Sequence, residues 1–290
     1  MTGGTLTPEQ VAFYHTEGYL MIRGLLSPAD LNPAREAVAA KVDEIANDLY
    51  QRGEITSKYE DSPFEHRLAD LFAGLTEAHF LRYGRGWRDR VPNYFDLLTN
   101  PKILGAVESL IGGEIYANPV YNIRPKVPRV AAGAVPWHQD RSYWPDASAN
   151  PVITVWVPLV AATEENGCLH IMPRTHKQRL IAHGSESYSG TSYTELDISQ
   201  FKEKQVVELP MAAGDILLFN DRCIHMSTLN QSERTVRWSV DLRYQPTDQD
   251  PMPQHGVGFL ARSYHHPERV ARLEDWLAER EENPLSPTHE

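Results

Sequence analysis

The chain has 290 residues, of which 41% are hydrophobic and 23% charged, an ordinary globular balance with length for one large domain or two small ones. Its formal net charge of -11 argues against a surface built to wrap nucleic acid or an anionic membrane. No apolar run approaches the roughly 18 residues of a membrane span. Met1–Gln10 lacks the basic start and apolar core of a signal peptide, and two cysteines, Cys168 and Cys223, are too few for a disulfide framework, so a reducing, cytoplasmic setting is expected.

Thr7-Pro8-Glu9-Gln10 is a capping box with Pro at the first helical position, and predicts a short helix that stops near Gly18. Tyr19 to Arg23 reads as a short strand. Ser27-Pro28-Ala29-Asp30 opens a second helix, in which Leu31, Ala34, Val38, Val42, Ile45 and Leu49 keep the three-and-four spacing of one buried face. Asn100-Pro101 opens another, with Ile103, Leu104, Val107 and Ile111 on one side and Gly112-Gly113 as its stop.

From about Glu114 the texture changes. Short β-rich runs alternate with turn clusters: Ile115 to Asn122, Val152 to Val160, Cys168 to Met172, Gln205 to Leu209, Asp215 to Asn220 and Thr235 to Tyr244. Many short strands with turns between them suggest a sandwich or barrel. Pro267 to Glu281 reads as an amphipathic helix carrying Val270, Leu273, Trp276 and Leu277. No internal repeat or low-complexity linker interrupts the chain. We therefore expect one domain over 1–290: a helical part at about 7–112, a β core at about 114–246 and a closing helix at about 267–281.

Within the β core, Trp137-His138-Gln139-Asp140 places a His and a carboxylate two residues apart, and Ile224-His225-Met226-Ser227 supplies a second His. Alternate residues of a strand face the same way, so His138 and Asp140 can reach one ion while His225 arrives from a partner strand. Two imidazoles and a carboxylate form the facial triad that holds non-haem Fe(II) with coordination positions left open. Zinc accepts the same donors. The His-x-Asp spacing alone has little specificity, and most of the 12 His must serve other ends.

The ordered series Trp137 to Asp140, Glu165-Asn166-Gly167-Cys168-Leu169, Pro173-Arg174-Thr175-His176-Lys177, Gly214-Asp215 and His225-x-Ser227 resembles the phytanoyl-CoA dioxygenase family of Fe(II)- and 2-oxoglutarate-dependent oxygenases. The resemblance covers about Tyr121 to Tyr244. It implies an α+β protein with a β-dominated core, a double-stranded β-helix (a cupin-like jelly roll), flanked by N-terminal helices and a C-terminal helix. It implies Fe(II) as cofactor, 2-oxoglutarate and O2 as co-substrates, and a small organic molecule as substrate. By position, His138, Asp140 and His225 match the family's iron ligands. The implied reaction hydroxylates or otherwise oxidises an unactivated C–H while 2-oxoglutarate becomes succinate and CO2. A carboxylate at Asp140 argues against halogenation, for which related enzymes carry a small residue there.

The family also uses an Arg to grip the far carboxylate of 2-oxoglutarate, a task suited to a guanidinium's paired donors. The matching position is Val236, and Arg237 follows it. Arg237 opens a strand on which Arg237, Ser239, Asp241 and Arg243 share one face, and Trp238, Val240, Leu242 and Tyr244 the other. Arg234, in a polar turn, is the alternative anchor. The competing roles are a solvated turn residue for Arg234 and an ion pair with Asp241 for Arg237. Trp156, Ser227, Gln139 and Asn122 match further positions near 2-oxoglutarate, although strand alternation turns Gln139 away from the metal.

The sequence departs from the family at Arg174, where Gly is usual. Two regions are candidates for substrate contacts: Leu81 to Arg90, whose Arg82, Arg85, Arg88 and Arg90 suit either an anionic substrate or a surface loop paired with nearby acids, and the Ser-, Gly- and Tyr-rich segment 183–195, which reads as a lid or a disordered loop. Tyr143 and Trp144 are candidates for the pocket wall. The alternatives are a cupin-like metal-dependent hydrolase or isomerase, which has no need of a buried Arg behind the metal, and a non-catalytic jelly-roll binding protein.

Overall fold

A computed structural model of the protein describes residues 3–83, 87–88, 90–143, 152–181, 183–187, 194–201, 203–249 and 257–282. Helix α1 (Pro8–Glu17) starts as its sequence dictates: Gln10 N–H donates to Thr7 Oγ1, and the Gln10 side chain accepts from Thr7 N–H. It ends at Gly18, whose φ of 87° is left-handed; a Cβ there would lie 2.3 Å from His176 Nδ1. Strand β1 (Tyr19–Ile22) follows directly, and α2 (Pro28–Gln51) buries all six residues of its expected face. Three short helices, α3 (Arg67–Phe72), α4 (Glu77–Tyr83) and α5 (Pro92–Leu98), precede α6 (Pro101–Ile111), which is capped by Asn100.

The remaining strands are β2 (Ile115–Ala117), β3 (Asn122–Lys126), β4 (Val135–His138), β5 (Ile153–Pro158), β6 (Leu169–Met172), β7 (His183–Ser187), β8 (Thr194–Leu196), β9 (Val207–Leu209), β10 (Ile216–Asn220), β11 (Ile224–Ser227), β12 (Arg237–Pro246) and β13 (Phe259–Arg262). They form a large antiparallel sheet in the order β1-β10-β5-β12-β2-β13, with β3 also paired to β12, and a smaller one in the order β4-β11-β6-β9. The two sheets face each other, joined by the apolar cluster of Trp156, Leu217 and Phe219 with Leu169, Ile171 and Leu209. This is the expected jelly roll.

Strand alternation then divides the large sheet. Ile153, Val155, Val157, Ile216, Leu218, Trp238, Val240, Leu242 and Tyr244 point outward into one continuous core with the helices. Full burial of each such side chain contributes about 1.5–3 kcal/mol. The opposite positions, Thr154, Trp156, Asn122, Arg237, Ser239, Asp241 and Arg243, are buried in the space between the sheets.

Four expectations need correction. The strand from Ile115 to Asn122 is two strands, because Asn118 Oδ1 accepts Val120 N–H and makes a turn ahead of β3. The strand carrying His138 ends there, and Asp140 opens a 3-10 turn, Asp140–Tyr143. Pro267–Arg269 is a separate 3-10 turn; α7 is Leu273–Glu282, with Ala271 N–H donating to Leu260 O of β13 in between. Segment 183–195 is not wholly a loop, since β7 and β8 pair antiparallel; its residues 188–193, like Arg85 and Trp144, lie outside the described residues. Cys168 and Cys223 are both free and buried, and among the described residues no helix is long and apolar enough to cross a membrane.

Candidate metal centre

Antiparallel pairing of β4 with β11 sets His138 directly opposite His225, with ring centroids 4.0 Å apart. Asp140 reaches the same point from the 3-10 turn beyond β4. Its Oδ1 lies 3.5 Å from His138 Nε2 and 3.7 Å from His225 Nε2. All three residues are buried, and their candidate ligand atoms lie within 4.8 Å of one another. Among the described residues they are the one His, Cys, Asp or Glu group so arranged.

The hydrogen bonds behind these atoms leave the correct donors facing inward. His138 Nδ1 lies 2.8 Å from Pro136 O, and His225 Nδ1 lies 3.0 Å from Cys223 O. A carbonyl only accepts, so each Nδ1 carries the proton and each Nε2 keeps its lone pair for an ion. Burial, reinforced by His138, pushes His225 down to about 3, so its ring is neutral at physiological pH. Asp140 Oδ2 is occupied from the large sheet by Thr154 Oγ1–H at 2.7 Å and Arg243 Nη2–H at 3.0 Å, leaving Oδ1 toward the imidazoles. Burial opposes its ionisation, but Arg243 and the two imidazoles hold it well below the usual carboxylate range.

Arg243, Thr154 and Asp241 were not singled out as site residues. Arg243 joins Asp140 to Asp241, which also takes Arg124 Nε–H at 2.7 Å and Asn122 Nδ2–H at 2.8 Å. The signal was present in β12: polar residues at alternate positions opposite Trp238, Val240 and Leu242. Arg124 was harder to find, because Pro125 disguises β3.

Arg237 and Arg234 separate sharply. Arg234 is a surface residue, with its guanidinium bidentate on Asp70. Arg237 is 2% exposed, lies over the Trp156 ring at 5.3 Å and donates one bond to Ser239 Oγ. Its Nε–H has no partner among the described residues, while the Asp241 carboxylate is engaged by Arg124 and Arg243. Burial, then repulsion from Arg124, lowers Arg237 to about 10. A buried guanidinium with an unused donor is what an incoming carboxylate requires.

The other expected positions are buried with defined partners. Ser227 Oγ accepts from Lys126 Nζ at 2.7 Å. Asn122 bridges Arg88 to Asp241. The Gln139 amide donates to Arg222 O and accepts Ile181 N–H, tying the segment between His138 and Asp140 to the turn before β11 and to the chain after β6. Arg174 adopts φ 66°, which explains the usual Gly at that turn, and its guanidinium is bidentate on Glu17 of α1. In the Arg82–Arg90 stretch, Arg82 pairs with Asp48 and Arg90 donates to Trp276 O and Val257 O.

The fold and site define a jelly-roll protein of the facial-triad metal class. The chain belongs to the phytanoyl-CoA dioxygenase family, whose model matches residues 14–238. It is 26% identical to human peroxisomal phytanoyl-CoA dioxygenase over 96% of this chain and 82% of the relative. It is 24% identical to the phytanoyl-CoA dioxygenase domain-containing protein 1 of Danio rerio, over 86% of this chain and 98% of the relative. Similar solved folds include a non-haem monooxygenase, ThoJ (TM-score 0.61, 18% identity, 94% of both chains). Another is the α-ketoglutarate-dependent carbocyclase SnoK of nogalamycin biosynthesis (TM-score 0.58, 22% identity, 88% of this chain and 91% of that one). The epimerase SnoN, in complex with Fe3+, α-ketoglutarate and nogalamycin RO, matches with TM-score 0.55 and 21% identity over 86% of both chains.

Proposed function

We propose that this protein is an Fe(II)- and 2-oxoglutarate-dependent dioxygenase that oxidises an unactivated C–H of a small organic substrate. The observation that carries the reading is the pairing of a buried two-His, one-carboxylate cluster with a buried guanidinium that, among the described residues, lacks a carboxylate partner. A cupin-like hydrolase or isomerase has use for the first and none for the second.

The residues present fit both groups. His138 Nε2, His225 Nε2 and Asp140 Oδ1 would hold the iron, and three ligands leave positions for a chelating 2-oxo acid. Arg237, backed by Trp156, would take its distal carboxylate. Bound together, iron and 2-oxoglutarate supply the oxidising power, with O2 consumed and succinate and CO2 released. The chain's own residues supply orientation and a dry interior. Thr154 and Arg243 fix the Asp140 carboxylate, and Pro136 O and Cys223 O fix the imidazole tautomers. Ser227 presents a hydroxyl two residues beyond the distal His, while Gln139 and Asn122 stiffen the frame around the site.

Anaerobic reconstitution followed by O2 addition tests this. Succinate should form in an Fe(II)-dependent manner and rise with the true substrate in a panel of acyl thioesters, amino acids and secondary metabolites. Tight Zn(II) binding with no 2-oxoglutarate turnover would favour the hydrolase reading instead. We read residues 1–290 as one domain because the helices and the large sheet share one core. Two free thiols are consistent with a reducing, cytoplasmic setting, which cell fractionation can check.

A further inference from the structure

Strands β3 and β12 bring a second cation beside the unpaired guanidinium. Lys126 is the cross-strand partner of Arg237, so the two side chains leave the sheet on the same face. Lys126 is 1% exposed, yet among the described residues its side-chain nitrogen donates only to neutral oxygens: Ser227 Oγ at 2.7 Å and Thr228 O at 2.5 Å. An ammonium has three donors, so one remains. Ser227, whose hydroxyl accepts from Lys126, keeps its own O–H to donate.

The room for this lysine is built into the backbone. Gly167 sits at φ 84°, and a Cβ there would lie 2.5 Å from Thr228 O and 2.8 Å from Lys126 Cδ. Asn166 fixes the turn by accepting Thr163 N–H and donating to Ala161 O. The Asn166-Gly167 pair therefore opens the slot through which the lysine stem passes.

Charge in this interior is unbalanced. Arg124, Arg237 and Arg243 are guanidinium cations, Lys126 joins them when protonated, and the acids among them, Asp140 and Asp241, are engaged by Arg243 and Arg124. Burial, then the fields of Arg237 and Arg124, holds Lys126 well below the ordinary lysine range. Buried cations of one sign without a counter-ion are costly, and an anion between them relieves both.

We propose that Lys126 and Arg237 form a two-cation cradle that grips one carboxylate from two strands, with the Ser227 hydroxyl as a third donor. Resting on the dioxygenase reading above, this assigns Lys126 as a further binding residue for the distal carboxylate of 2-oxoglutarate. It also makes the site strongly selective for dicarboxylic over monocarboxylic 2-oxo acids.

The test is anaerobic titration of the Fe(II)-loaded protein with 2-oxoglutarate and with 2-oxobutyrate, which keeps the chelating end and lacks the distal carboxylate. Binding is read from the visible absorption of the Fe(II)–2-oxo acid complex. Lys126→Met should weaken 2-oxoglutarate about tenfold or more while leaving 2-oxobutyrate within about twofold. Because both acids are measured on one preparation, a partly folded variant lowers both alike. As a second variant that leaves the lysine in place, Arg237→Met should retain a preference for the dicarboxylate of about tenfold. Equal loss for both acids in Lys126→Met, no loss for either, or no residual preference in Arg237→Met would overturn the cradle while leaving the dioxygenase reading intact. Absence of the spectrum with either acid in the unaltered protein would overturn both.

Discussion

The two faces of the large sheet use the same strands for opposite ends. Along β12, Trp238, Val240, Leu242 and Tyr244 turn outward into a dry core with the helices, while Arg237, Ser239, Asp241 and Arg243 turn inward. The outer face supplies the free energy that fixes the strands. The inner face depends on that rigidity, because Lys126, Arg237 and Arg243 with the carboxylates of Asp140 and Asp241, all buried, would not hold a compact core by themselves. A change outward should therefore cost stability and spare the chemistry, and a change inward should do the reverse.

The largest inward effect is expected at the metal. Asp140→Ala removes a proposed iron ligand and should abolish succinate formation; sustained turnover in that variant would contradict the assignment. Arg237→Met should come next. Truncating one partner of a buried charge pair costs about 2–5 kcal/mol, so 2-oxoglutarate affinity should fall at least about thirtyfold with iron affinity unchanged. Arg243→Met leaves the three ligands in place but frees Asp140 Oδ2, and should lower iron affinity by about ten- to hundredfold.

The outer face gives the contrasting result. Leu242→Ala should destabilise the fold by about 2–5 kcal/mol in denaturant titration, with the 2-oxoglutarate dissociation constant of the folded fraction unchanged. Arg234→Ala, which breaks an exposed ion pair with Asp70, should cost no more than about 1 kcal/mol and leave co-substrate binding alone. If Arg234→Ala impaired 2-oxoglutarate binding more than Arg237→Met, the anchor would have to be reassigned.

Acid should act through the inner face as well. His225 has an ordinary value of 6.5 in the unfolded chain and about 3 when folded. The unfolded state therefore binds more protons between these values, and stability should fall as pH drops from 6.5 toward 3. Asp140, also depressed, acts in the same direction as pH falls through the carboxylate range. Thermal unfolding of the metal-free protein across that window checks the sign.

Much of this was legible in the chain because alternation is a strong signal. The split of β12 into a polar and an apolar face and the buried stripe of α2 follow from spacing that the core cannot ignore, and the capping box of α1 from its own four residues. The candidate metal ligands were legible for a different reason. His138 and His225 are far apart in sequence, and the ordered family blocks, rather than spacing, joined them before the β4–β11 register placed them opposite each other. What escaped was non-local. Arg243 matters because Asp140 meets it across the space between the two sheets, and Lys126 because Gly167 and Ser227 make a slot for it. Neither relation leaves a local trace. Asp140 itself was expected on the strand, but a turn carries it to the two imidazoles, so a side-chain destination survived an error in its backbone.

The most direct measurement is an anaerobic titration of the metal-free protein with Fe(II) and 2-oxoglutarate, followed by visible absorption. The account predicts a weak charge-transfer band that needs both additions and is lost in Asp140→Ala. A protein that binds Zn(II) tightly and gives no such band with Fe(II) and 2-oxoglutarate would contradict it.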